Sequence, residues 1–90
     1  MSIHILIRHE VRDFNAWKSV FDSAADMRHG AGETSAQVFR DADNPNQVTI
    51  INGWDTAERA EAFLNNPDLA NAMEQAGVIS EPEVIFMNEA

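Results

Sequence analysis

Twice within ninety residues a run with strand periodicity hands over, across a short corner carrying acids, to a run with helical spacing. The first strand-like run is "SIHILIRHE", with Ile3, Ile5, Ile7 and His9 on one parity and His4, Leu6 and Arg8 on the other, the alternation that a pleated strand imposes. Behind it, "EVRDFNAWKSVFDSAADMRHG" sets Phe14, Trp17, Phe21, Ala24 and Arg28 on one helical stripe, because residues three or four apart share a helix face. The second handover joins "QVTIINGWD" to "DTAERAEAFLNN". A chain that must bury a one-sided helix against a strand, and do so twice, has few architectures open to it.

The remaining boundaries follow from turn and cap chemistry. The first strand covers Ile3 to Arg8, and the helix starts near Asp13, an N-cap or first-turn acid suited to the positive end of the helix dipole. It ends near "HGAG", where Gly30 and Gly32 can adopt left-handed dihedrals. A second strand, "TSAQVFRDA", meets the third, "QVTIINGWD", through the turn residues of "DADNPNQ", which predicts an antiparallel pair. Asp55 and Glu58 have capping-box spacing for the second helix. That helix breaks before Pro67 and restarts in "PDLANAMEQAG", with Leu69, Met73 and Ala76 inward and Gly77 as terminator. The last strand is "EVIFMN".

The order β-α-β-β-α-β predicts one domain over residues 1–90, of α+β class: a ferredoxin-like, four-stranded antiparallel sheet with its helices on one face. The other face is bare. Assigning Ile3, Ile5 and Ile7 to it gives an apolar patch too large for a comfortable monomer, so a homodimer is expected. The first helix then leans on the opposite parity, which groups His4 and Leu6 with Ile50, Asn52 and Trp54. His9, at the end of the strand beside Glu10, is expected to face solvent or the subunit seam.

Charge and composition exclude several functions. A formal charge of −9 repels phosphate backbones and anionic membranes, so neither nucleic acid nor a membrane is an expected partner. Without cysteine there is no disulfide framework and no thiolate zinc site. No apolar run approaches the roughly 20 residues of a bilayer span, and the start "MSIHILIRHE" lacks a basic leader and a small-residue cleavage site; a cytoplasmic protein is expected. No histidine pair has the spacing of a helical metal site and no glycine-rich dinucleotide fingerprint occurs, so the protein is expected to carry neither metal nor flavin.

The stretches "DFNAWKSVFD", "VFRDADNPNQV", "GWDTAERAEAFL" and "NPDLANAMEQAGV" together resemble small proteins of the dimeric α+β barrel superfamily, over nearly the whole chain. Within it the chain is similar to the antibiotic-biosynthesis-monooxygenase-like proteins and to small proteins described as cyclases. The resemblance implies two ferredoxin-like subunits sharing a barrel, each with a ligand cavity between sheet and helices. In the haem-degrading branch a first-strand Asn, a Trp ending the third strand and a later helical His form the site. Trp54 matches the Trp, but the other two positions fall near His4 and Met73, which points away from haem degradation. Cofactor-independent monooxygenases of the family use a polar, aromatic-lined cavity, to which His4, Arg8, Asn52 and Trp54 would contribute.

The candidate catalytic residues are therefore His4, whose imidazole titrates near neutrality, and Asn52. The candidate ligand-binding residues are Leu6, Arg8, Trp17, Phe21, Ile50, Trp54 and Met73. Two functions are compatible with this set. One is a cofactor-free monooxygenase or cyclase acting on a small aromatic or polyketide-like compound, and the other a noncatalytic dimer that binds a small hydrophobic molecule. Core packing alone also accounts for a Phe14, Trp17, Phe21 stripe, so a void between helix and sheet decides whether the stripe walls a pocket.

Overall fold

The computed structural model describes residues 3–90; Met1 and Ser2 lie outside the described residues. Strand β1 (Ile3–Glu10) leads into helices α1 (Phe14–Ser23) and α2 (Ala25–Ala31), then β2 (Glu33–Arg40) and β3 (Gln47–Trp54). Helices α3 (Ala57–Leu64) and α4 (Pro67–Gln75) follow, and β4 (Glu83–Asn88) closes the chain. The sheet runs β2-β3-β1-β4 with every neighbouring pair antiparallel. This is the ferredoxin-like α+β fold with its helices on one face, as the sequence pattern predicts.

The register between β1 and β3 decides which face is which. Ile5 pairs with Asn52, Ile7 with Ile50 and His9 with Val48, and paired residues point to the same side of a sheet. Ile5 is fully buried within the single chain and His9 only 2% exposed. The core joins Ile5, Ile7, Val48, Ile50 and Trp54 to Trp17 and Phe63 of the helices. The expectation that Ile3, Ile5 and Ile7 form the bare face is thus corrected: their parity meets the helices. The bare face carries His4, Leu6 and Arg8 opposite Gly53, Ile51 and Thr49. A shift of one parity moves every side chain of a strand to the other side, and β1 has aliphatics on both.

Local chemistry sets the element ends. Asp13 occupies the N-cap of α1, but its side chain makes no cap bond; the Phe14 amide donates instead to Asn46 Oδ1 at 3.1 Å. The long first helix divides at Ala24. There Ser23 Oγ donates to the Val20 carbonyl and the Arg28 guanidinium to that of Phe21, so side chains satisfy acceptors that end a helical ladder. For α3 the cap is Thr56, whose hydroxyl accepts from the Arg59 amide at 3.1 Å, rather than Asp55, which pairs with the Arg59 guanidinium. Asn66 caps α4 ahead of Pro67. Of the two glycines in "HGAG" only Gly32 turns left-handed, at φ 116°. That positive φ is what favours glycine there, and a Cβ would also push the Asp55 carboxylate aside, from which it would lie 2.5 Å.

No helix among the described residues is long and apolar enough to cross a membrane.

Candidate functional site

Helices and sheet do not close on each other completely. Between them lies a cavity of about 280 Å³, with Ile7 and Ile50 supplied by the sheet and Trp17, Phe21, Phe63, Leu69 and Met73 by the helices. Its polar lining comes from His9, Arg28, Asn52 and Glu81. A mostly apolar enclosure with a few convergent polar groups is the usual makeup of a small-molecule site.

His9 enters this cavity because β1 carries it on the parity of Ile5 and Ile7. Its ring meets the Trp17 indole edge-on, with centroids 5.6 Å apart and planes at 70°. Nδ1 is buried with no hydrogen-bond partner. Burial pushes the imidazole below its ordinary value of 6.5, and the residue's own backbone carbonyl opposes this only in part. His9 is therefore neutral at pH 7 and able to take a proton.

The same shift has a consequence for stability. Above pH 6.5 the ring is neutral both folded and unfolded and contributes no pH dependence. As pH falls below that value the unfolded chain binds the proton first, so stability decreases until the folded ring also titrates. Urea midpoints should fall between pH 7 and pH 5.5, and His9→Phe should lessen that fall; an unchanged slope in this variant would refute the assignment.

Asn52 reaches the cavity from β3 and is held by a buried ionic network. Arg28 Nε donates to both Glu33 oxygens at 3.2 and 3.1 Å, and Asn52 Nδ2 donates to Glu33 Oε2 at 3.2 Å. The guanidinium also lies 3.7 Å from the Phe21 ring centroid, a cation–π arrangement. Glu33 is aimed inward by the bulge between Glu33 and Ser35, where β2 changes register against β3. With Nδ2 committed, Asn52 Oδ1 is left buried and unpartnered.

Of the residues singled out from sequence, Trp17, Phe21, Ile50, Asn52 and Met73 come together around the cavity. His4, Leu6, Arg8 and Trp54 do not line it. His4, Leu6 and Arg8 lie on the opposite side of the sheet, and Arg8 there pairs with Asp41 at 2.9 Å. Trp54 is core, 2% exposed, with its ring 5.0 Å from that of Phe63. The grouping of His4 and Leu6 with Asn52 and Trp54 is thus corrected by the β1–β3 register. The expectation that His9 faces solvent or the subunit seam is also corrected: it shares the parity of Ile5 and Ile7, which turns it inward, and it is buried. Sequence reading passed over Glu33, whose burial depends on a bulge that no periodicity announces.

Among the described residues no three His, Asp or Glu side chains converge as metal ligands.

Fold and cavity together define a small ferredoxin-like α+β protein with a mostly apolar cavity between sheet and helices. Residues 3–75 match the family described as antibiotic biosynthesis monooxygenase, and the chain belongs to that family. Among solved structures, SnoaB, a cofactor-independent oxygenase from Streptomyces nogalater, is similar at 18% identity, with 99% of this chain and 95% of that chain covered and a TM-score of 0.74. A conserved protein from Methanosarcina mazei Go1 is 12% identical, with 100% and 94% covered and a TM-score of 0.78. Rv0793 from Mycobacterium tuberculosis is 14% identical, with 100% and 96% covered and a TM-score of 0.72. At these identities the likeness is one of fold. No curated protein matches the sequence significantly.

The two tryptophans can be told apart by a ligand. Trp17 stacks on Phe21 with centroids 5.0 Å apart and walls the cavity, whereas Trp54 lies outside its lining. A planar aromatic ligand should quench the emission of a Trp54→Phe variant and leave that of a Trp17→Leu variant unchanged. Quenching confined to Trp54 would place the ligand elsewhere.

Proposed function

We propose that this protein binds a small, flat phenol in the cavity and oxygenates it without a cofactor. The observation that carries the reading is a buried, neutral imidazole, His9, whose Nδ1 has no partner, among the residues lining a mostly apolar cavity. Removal of a phenolic proton by His9 gives a phenolate rich enough in electrons to reduce dioxygen directly. In the balanced reaction one O2 takes four electrons from the ring. A ring C–H ortho or para to the hydroxyl becomes C=O, the hydroxyl becomes the second C=O, and the other oxygen atom leaves as water. Family membership and the likeness to a cofactor-independent oxygenase support this reading.

The test is oxygen uptake by metal-free protein with a panel of naphthols that carry a free ortho or para C–H. Consumption of one O2 per quinone formed, with no hydrogen peroxide released, is the expected result. Ligand binding without oxygen uptake would favour the noncatalytic binding protein.

The same proposal includes a homodimer formed through the bare face. Leu6 pairs with Ile51 at its centre, and Phe39 and Ile85 nearby are 49% and 46% exposed. Burying such side chains stabilises by about 25 cal/mol per Å² of apolar area. Sedimentation should show a dimer at micromolar concentration and a monomer for Ile51→Glu; a folded native monomer under those conditions contradicts the proposal.

A further inference from the structure

The four helices are not equally fastened to the molecule. Trp17 anchors α1, Arg28 anchors α2 through its bonds to Glu33, and Ala60 and Phe63 anchor α3, all of them buried. Helix α4 has no buried residue. Among the described residues, no side chain of α4 is hydrogen-bonded or ion-paired to another element, whereas Arg59 of α3 donates to the Gly30 carbonyl at 2.7 Å. The half-buried residues of α4, Leu69, Ala72 and Met73, all line the cavity, and Leu69 also touches the edge of the core. Asp68, Asn71, Glu74 and Gln75 are exposed on the other side. A single helix therefore stands between cavity and solvent here, and its inner face meets a void where the other helices meet packed side chains. Such a segment opens at lower cost than the core around it.

Both ends of α4 lie where the backbone can turn. At the start, Pro67 cannot continue the hydrogen-bonded ladder of α3, and the Asn66 side chain caps the new helix by accepting from the Asp68 amide at 2.9 Å. At the other end Gly77 has φ 90°, and a Cβ there would meet nothing nearer than Arg12 Cβ at 3.6 Å. Glycine at this position answers the backbone conformation and not crowding. Beyond it the chain is fixed again, because the Arg12 amide donates to the Gly77 carbonyl at 2.8 Å and the Ile79 amide to that of Glu10 at 2.9 Å. Val11, 1% exposed, is bridged to Val78 between these bonds. Pinned ends and an untied middle are the layout of a hinged segment.

We propose that α4 is a lid, lifting as a unit between Asn66 and Gly77 to open the cavity and closing when Leu69 and Met73 pack back over it. The inference rests on the reading of the cavity as a ligand site and adds how the ligand enters. Lifting itself occurs in the free protein and needs no ligand.

Hydrogen exchange of the native full chain, read amide by amide, tests the proposal. Amides of α4 should exchange at least about a hundredfold faster than those of α3 and β3, and with little dependence on low urea, because lifting one helix exposes far less surface than unfolding. Leu69→Ala combined with Met73→Ala removes the closing contacts while raising helix propensity. This variant should speed α4 exchange at least about tenfold; slower exchange would mean that α4 merely frays, and would overturn the lid. With 1-naphthol under argon at ten times the dissociation constant found by calorimetry, α4 exchange should slow by about tenfold. Exchange of α4 only through global unfolding would overturn the lid whatever the cavity binds, and so would 1-naphthol binding that leaves α4 exchange unchanged. Local opening of α4 with no naphthol of the panel binding would instead remove the reading of the cavity as a ligand site, and the lid with it.

Discussion

Replacing Arg28 with alanine should destabilise the folded protein by about 3–5 kcal/mol, the cost of breaking a buried ion pair and stranding its partner. Glu33 has a side chain with no solvent exposure, and Arg28 Nε reaches its Oε2 at 3.1 Å. Without the guanidinium the carboxylate keeps only Asn52 Nδ2 and the distant His29, whose Nε2 lies 3.9 Å from Oε1. The variant also loses the bond to the Phe21 carbonyl and the stacking on the Phe21 ring. Changing both members together, Arg28→Met with Glu33→Leu, should recover much of the loss, because a well-packed apolar pair carries no desolvation penalty. Urea denaturation reads both effects. A single variant that costs less than about 1 kcal/mol would show that the pair is solvated and behaves like a surface bridge.

The network matters for function because it spans three elements. Arg28 comes from α2, Glu33 from the bulged start of β2 and Asn52 from β3. Loss of Arg28 should therefore loosen the Asn52 amide as well as the fold.

Much of this architecture was legible in the sequence. The period-2 runs and the helical stripe locate β1, β3 and α1, and Pro67 with Asn66 ahead of it marks the restart at α4. The pairing of Trp17 and Phe21 with Ile50 and Asn52 around one void also follows from periodicity, since stripe and strand parity each select a face.

What the sequence concealed was the relation between β1 and β3. Both faces of β1 carry aliphatics, Ile5 and Ile7 on one and Leu6 on the other, so hydrophobicity alone does not orient it. The register with Asn52 and Ile50 orients it, and that is a long-range property of the sheet. The same uncertainty moved the candidate base from His9 to His4. Glu33 was hidden for a different reason: a carboxylate in a chain with net charge −9 reads as solvated surface until a bulge and an arginine bring it inside.

The β1–β3 register carries the central claim, that the base in the cavity is His9 and not His4. Steady-state oxygen uptake with the best phenol of the panel tests it directly when His9→Gln and His4→Gln are compared side by side. General-base catalysis contributes about a hundredfold or more, so kcat/KM for His9→Gln should fall by about that factor, while phenol binding measured under argon persists. His4→Gln, on the far side of the sheet, should stay within about twofold of the native value, the range of a surface substitution. A hundredfold loss in His4→Gln with His9→Gln left active would contradict the account.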